Sequence, residues 1–174
     1  MRRLSPSLNL GAGRKLAERY LFTEVAENLS LYRLVDHQHV PEIELALSRI
    51  SGTPTRVVFA PHLLPIRRGL IATCYATLAR EAAEGEIEGA FRDDYRDPGE
   101  FDRRSIVEVC GVDAIDVHRV TGTASALVGA KLDPRSTSVV AACALDNLMK
   151  GAASQAWENL RRMVRAPRAF HGAA

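Results

Sequence analysis

The apolar residues of this chain fall into two rhythms, continuous or alternating runs that suit strands and a spacing of three to four that suits helices. After ten residues with no clear pattern, Gly11-Ala12-Gly13 opens a helical stretch in which Leu16, Tyr20 and Leu21 share a face, and a further helical piece covers Thr23 to Leu29. Leu31 to His39 reads as extended. Pro41 is suited to the first position of a helix, where its missing N–H costs nothing. Ile43, Ala46, Leu47 and Ile50 follow at helical spacing, and Ser51-Gly52 ends the helix. Arg56 to Leu64 is a strand interrupted by Pro61, and Gly69 to Leu78 is a second, richer strand. Glu84 to Asp97 is an amphipathic helix with Ile87, Ala90, Phe91 and Tyr95 on one face, closed by Pro98-Gly99. Three more strands follow at Ser105 to Cys110, Ala124 to Leu132 and Ser138 to Ala144, the last two joined near Asp133-Pro134. A final helix runs from Leu145 to Met163, its stripe made of Leu145, Leu148, Met149, Ala152, Ala156, Leu160 and Met163.

Strands and helices alternate without a strict βαβ repeat. That order predicts an α+β fold, a mixed and largely antiparallel sheet covered by helices, rather than a doubly wound parallel one. The 174 residues suit one domain, placed at 11–163 with tails at 1–10 and 164–174. A net charge of +2 and 6% aromatic residues give no case for a nucleic-acid surface. Arg161, Arg162, Arg165 and Arg168 read as a solvated helix end and tail. No segment reaches the roughly 18 apolar residues of a membrane span, and Met1-Arg2-Arg3 is not followed by the apolar run of a secretory signal. Three widely spaced cysteines, Cys74, Cys110 and Cys143, make no disulfide framework and read as reduced, mostly buried thiols of a cytosolic protein.

Four short segments carry candidate chemistry. In His37-Gln38-His39-Val40-Pro41-Glu42, histidines two apart on an extended segment share a side, and Glu42 begins the next helix. Such a pair is ordinarily a solvated or core-rim feature. It is also compatible with a metal site using Glu42 and His62, and with acid–base chemistry by a histidine that a carboxylate orients. Arg67-Arg68-Gly69, at the mouth of a strand, suits an oxyanion or a plain surface turn. In Asp146-Asn147-Leu148-Met149-Lys150-Gly151, Asp146 or Asn147 is placed to cap a helix, and Gly151 permits close approach of a backbone or a ring. Gly11-Ala12-Gly13-Arg14 lacks the third glycine and the preceding strand of a dinucleotide loop.

Taken in order, five blocks resemble the C-terminal part of the N-acetyl-gamma-glutamyl-phosphate reductases. They are GAGR (Gly11 to Arg14), LFTEVAENLSLY (Leu21 to Tyr32), HQHVPEIE (His37 to Glu44), FAPHLLPIRRGLIATCYA (Phe59 to Ala76) and LDNLMKGAASQAWEN (Leu145 to Asn159). The resemblance implies the second-domain fold of glyceraldehyde-phosphate-dehydrogenase-like enzymes. It also implies a reaction in which a cysteine thiolate attacks an acyl phosphate and NADPH reduces the resulting thioester to a semialdehyde. By the same resemblance His37 and His39 are the acid–base and substrate-orienting pair supported by Glu42, and Gly13, Arg14 and Arg68 border the substrate. Asn147 and Gly151 then lie by the NADP nicotinamide, and the sheet makes the interface of a homo-oligomer, most simply a dimer. No metal is expected. The nucleotide-binding domain and the nucleophilic cysteine that the family carries ahead of GAGR are not found before Gly11, so the chain alone is expected to be inactive unless a separate Rossmann-domain chain completes it. Gln38 stands where the family has arginine, and Val35-Asp36 where it usually has glycines. Two functions remain open: the substrate and oligomer half of an oxidoreductase, and a non-catalytic self-associating domain. An aminoadipate-type substrate fits the pattern as well as an acetylglutamyl one.

Overall fold

The runs of strongest apolar character form the centre of the molecule. In the computed structural model, which describes residues 2–5, 18, 21–83, 85–95 and 107–165, the strands in chain order are β1 (Arg2–Ser5), β2 (Ser30–Leu31), β3 (Val57–Phe59), β4 (His62–Leu63), β5 (Leu70–Thr77), β6 (Val107–Val109), β7 (Ala126–Leu132) and β8 (Ser138–Leu145). The helices are α1 (Phe22–Val25), α2 (Val40–Ser51), α3 (Glu86–Asp94), α4 (Val117–Val120) and α5 (Ser154–Arg165). Six strands make one sheet in the order β3-β1-β5-β8-β7-β6, and β2 pairs with β4 in a separate ribbon. The inner pairings are antiparallel, and the outer pairs β1–β3 and β6–β7 are parallel. The fold is thus α+β with a mixed sheet, as the pattern predicts.

β5 and β8 pair along their whole length, from Leu70 opposite Leu145 to Thr77 opposite Ser138. The register also sets Ile71, Ala144 and Leu127 side by side across three strands. There they meet Val120 of α4 in the buried cluster, with Ile115 and Val117 packed around it. Two glycines make this layer possible. A Cβ on Gly129 would lie 2.3 Å from the carbonyl oxygen of Cys110, and one on Gly69, at φ 116°, would lie 2.2 Å from Cγ1 of Val117. The β7–β8 hairpin is tied by Asp133, whose carboxylate accepts the Arg135 backbone N–H and guanidinium; those contacts hold its pKa down to about 2.

Four expectations need correction. Arg2–Ser5, read as part of a patternless tail, is a strand between β3 and β5, because backbone pairing needs no apolar alternation. Leu31 to His39 is extended only at Leu31; beyond it the chain turns through Arg33 (φ 45°) and Val35 (φ 63°). The final helix does not begin at Leu145, which ends β8. A turn and a π-helical segment, Met149–Ala153, precede α5. The helical piece read at Thr23 to Leu29 shortens to α1. Pro98-Gly99 lies outside the described residues.

Candidate functional site

The histidine pair sits in the turn that leads into α2. Val35 N–H donates to the Phe59 carbonyl at 3.3 Å and Tyr32 N–H to that of Pro61 at 3.3 Å, so the segment is sewn to the end of β3. The turn tucks His37 inward, 7% exposed, and leaves His39 on the surface as the N-cap of α2. The pair does not share a side of a strand as the spacing suggests. Instead the rings meet edge to face, centroids 4.7 Å apart, and the His39 backbone N–H donates to Nδ1 of His37 at 3.2 Å. Tyr32 and Phe59 enclose the His37 ring, at 5.5 and 5.1 Å. Burial first, then the neighbouring His39 and Arg33, lower the His37 pKa below 6.5, with Asp36 pulling the other way. Glu42 is exposed in the first turn of α2, and Glu44 makes the contacts, to Arg56 and to the Val57 N–H. His62, weighed as a further ligand, turns its Nδ1 to the Ala60 carbonyl at 3.1 Å. Among the described residues no group of three or more His, Cys, Asp or Glu is placed to hold a metal ion.

The second group gathers where β5 begins and β8 ends. Asp146, fully buried, accepts the backbone N–H groups of Gly122 (2.7 Å), Leu148 (2.8 Å) and Met149 (3.0 Å). It therefore caps the terminal helical segment, as the sequence allows. A terminal nitrogen of Arg68 lies 3.3 and 3.2 Å from the two Asp146 oxygens. Burial pushes the Asp146 pKa up, but the three N–H groups and Arg68 outweigh it and the net shift is downward. Asn147 turns its side-chain oxygen to the Gly69 N–H at 2.9 Å, which closes the junction. Gly151 is exposed to solvent on one side, while a Cβ there would meet Leu145 Cδ1 at 3.1 Å. Arg68 keeps 37% of its side chain exposed, and its Nε is buried with no partner among the described residues. β8 finishes where β5 starts, Leu145 opposite Leu70, whereas β3 runs in that direction but ends at Phe59, level through Leu4 with Cys74 in the middle of β5. Gly13 and Arg14 lie outside the described residues.

One pair escaped the sequence reading altogether. Lys150 Nζ bonds both carboxylate oxygens of Glu158, at 2.6 and 2.8 Å, and both residues are buried. The pair links the π-helical segment to α5. Its only sequence signal is a Lys and a Glu eight apart on the side of the helix away from the apolar stripe. Burial disfavours the thiolate at two of the cysteines, Cys74 and Cys143. Burial, and then Cys143, raise the Cys74 pKa to about 11, and burial raises that of Cys143.

Comparison with known proteins gives the family and the fold. A family model described as semialdehyde dehydrogenase, dimerisation domain, matches residues 8–147. The N-acetyl-gamma-glutamyl-phosphate reductase of Pelotomaculum thermopropionicum is 43% identical over 151 residues, 86% of this chain and 42% of the relative. That of Alkaliphilus metalliredigens is 34% identical over 154 residues, 88% of this chain and 43% of the relative. The chain thus spans less than half the length of these curated relatives. Among solved structures, aspartate semialdehyde dehydrogenase II of Vibrio cholerae, complexed with ASA, superposes with a TM-score of 0.67 over 95% of this chain and 55% of that one, at 15% identity, a likeness of fold. No helix among the described residues is long and apolar enough to cross a membrane. The chain belongs to the semialdehyde dehydrogenase dimerisation-domain family, on the side of the N-acetyl-gamma-glutamyl-phosphate reductases.

Proposed function

We propose that this chain is the substrate-binding and dimerisation part of an NADPH-dependent N-acetyl-gamma-glutamyl-phosphate reductase, which turns an acyl phosphate into a semialdehyde. The observation that carries the reading is the paired histidine turn, one ring buried and one on the surface, in a chain of this family. In this reading His39 touches the substrate as the acid–base group, and Glu42 lies one helical turn away to support it. Arg68 holds an anionic part of the substrate with the edge of its guanidinium that Asp146 does not occupy. The resemblance assigns Gly13 and Arg14, which lie outside the described residues, to the substrate as well.

NADPH, when bound, supplies the hydride. Asn147 and Gly151 border its nicotinamide by resemblance alone, since both are already accounted for by the junction they close. The described residues do not by themselves hold a dinucleotide. Burial disfavours the thiolate at Cys74 and Cys143, which argues against either as the nucleophile. By the resemblance, the nucleophilic cysteine precedes the segment of the relatives that this chain matches. The dimerisation role is supported by the family and by an apolar face on α5 that points outward.

The test is binding of N-acetylglutamate, the carboxylate analogue of the substrate, followed by NMR on the labelled chain. Shifts at the His39 ring, with affinity falling at least about tenfold in Arg68→Ala for a lost charge-assisted contact, are expected. Saturating analogue that leaves His39 unmoved would refute the reading.

A further inference from the structure

We infer that His37 is a positioning residue, a proton-controlled latch whose unprotonated Nδ1 holds the backbone of the 33–39 turn and, through it, the ring of His39. The inference rests on the reading of His39 as the acid–base group, though the latch itself is a property of the turn and can be measured without turnover.

The hydrogen-bond direction carries the argument. A backbone N–H only donates, so the His39 N–H at 3.2 Å requires a lone pair on Nδ1 of His37, and the proton of the neutral ring sits on Nε2. Protonating Nδ1 would set two N–H groups against each other and abolish the bond. Nothing nearby compensates fully. Tyr32, Phe59 and His39 wall the ring, and with 7% exposure the new cation would be poorly hydrated. Of the charged groups facing it, His39 and Arg33 oppose the cation and Asp36 favours it. Glu42, exposed in the first turn of α2, also favours a cation, but the positive end of the α2 dipole opposes one.

The turn itself has little reserve. Arg33 and Val35 hold left-handed φ values of 45° and 63°, which non-glycine residues adopt at a cost. The His37 carbonyl also takes the Val40 N–H at 2.9 Å, so displacing His37 loosens the first turn of α2, of which His39 is the cap. Acid therefore swings the His37 ring toward water and carries His39 from its place. The site would lose its geometry on acidification before any chemical step is limiting.

The experiment is a histidine NMR titration of the labelled full chain from about pH 8 to about pH 5, the range in which imidazoles change charge. The His37 ring is expected to titrate with a midpoint below its ordinary 6.5. The His39 amide should move with the same midpoint. Its exchange rate, corrected for intrinsic pH dependence, should rise at least about tenfold as one hydrogen bond is lost. His37→Asn keeps an acceptor oxygen near the Nδ1 position but takes up no proton, and should hold the His39 amide protected at both ends of the range. His37→Phe should leave that amide open at both ends. A His39 amide transition of the same midpoint that persists in His37→Asn overturns the latch. So does a wild-type His37 that titrates while the His39 amide stays still, a result that needs no variant to fold. Failure of the N-acetylglutamate titration would remove the catalytic reading and leave the latch standing.

Discussion

Val35 is the residue at which sequence and structure disagree most sharply. A β-branched side chain next to Leu34 reads as strand, yet Val35 sits at φ 63° in a turn. A left-handed L residue costs about 1–2 kcal/mol, and glycine gives back about 0.5–1 kcal/mol of that in chain entropy. Val35→Gly should therefore stabilise the chain by roughly 0.5–1 kcal/mol in urea unfolding; a loss of stability would mean the valine packing outweighs the strain. Asp146 is the opposite case. Its capping role was legible from its place before an apolar helix, but the convergence of Gly122 and Arg68 on it was not, because both are distant in sequence. Asp146→Ala should cost about 3–5 kcal/mol, since it leaves three N–H groups and an arginine without their acceptor in a buried place. The acid limb of stability follows from the same residues. Where the pKa of a group lies lower in the folded chain than in the unfolded one, the unfolded chain binds the proton first as pH falls. Stability due to His37 is thus full above 6.5 and declines below it, and that due to Asp146 is full above 3.8 and declines below that. Urea midpoints measured between about pH 7 and pH 5 should fall in the wild type and flatten in His37→Asn.

The elements whose boundaries were readable are those whose rhythm is unambiguous. β5, β7 and β8 are long apolar runs bounded by turn formers, and α2 has both a proline start and a glycine stop at φ 68°. The terminal helix departs from the pattern at its start. Its first turns bond five residues apart, Gly151 N–H to Asp146 and Ala153 N–H to Leu148, a spacing that a 3.6-residue template cannot register. Its apolar face points outward, with Trp157, Leu160, Met163 and Val164 at 61, 48, 75 and 76% exposed while Glu158 is 6% exposed. What turns the helix is the Lys150–Glu158 pair, because a buried charge is tolerated only with its partner. Glu158→Ala strands the lysine and should destabilise the chain by about 3–5 kcal/mol, whereas Lys150→Met with Glu158→Leu should recover most of that loss. Equal destabilisation by the single and double changes would show that the pair contributes shape rather than charge balance.

At the scale of the whole molecule, the outward apolar face of α5 becomes a prediction about assembly. Soluble monomers rarely present a contiguous apolar patch of more than a few hundred Å², and here Leu148 (54%) adds to the four exposed residues of α5. The family is described as a dimerisation domain, and its sheet is implied as the subunit interface, so the chain has two surfaces from which to associate. Covering apolar area yields roughly 25 cal/mol per Å², and association costs consume a large part of it. That balance favours a symmetric dimer, whose self-complementary patch is counted twice. Sedimentation at micromolar concentration should show a dimer, and acrylamide quenching of Trp157, the single tryptophan of the chain, should weaken as concentration rises. Leu160→Glu with Met163→Glu separates the two surfaces. If α5 lies in the interface, the double change yields a monomer with an open Trp157. A dimer that survives it with Trp157 equally quenchable assigns the interface to the sheet and leaves the α5 face for the part of the protein that the relatives carry and this chain does not span. A wild-type chain that stays monomeric throughout would remove the dimerisation role altogether, whatever its family.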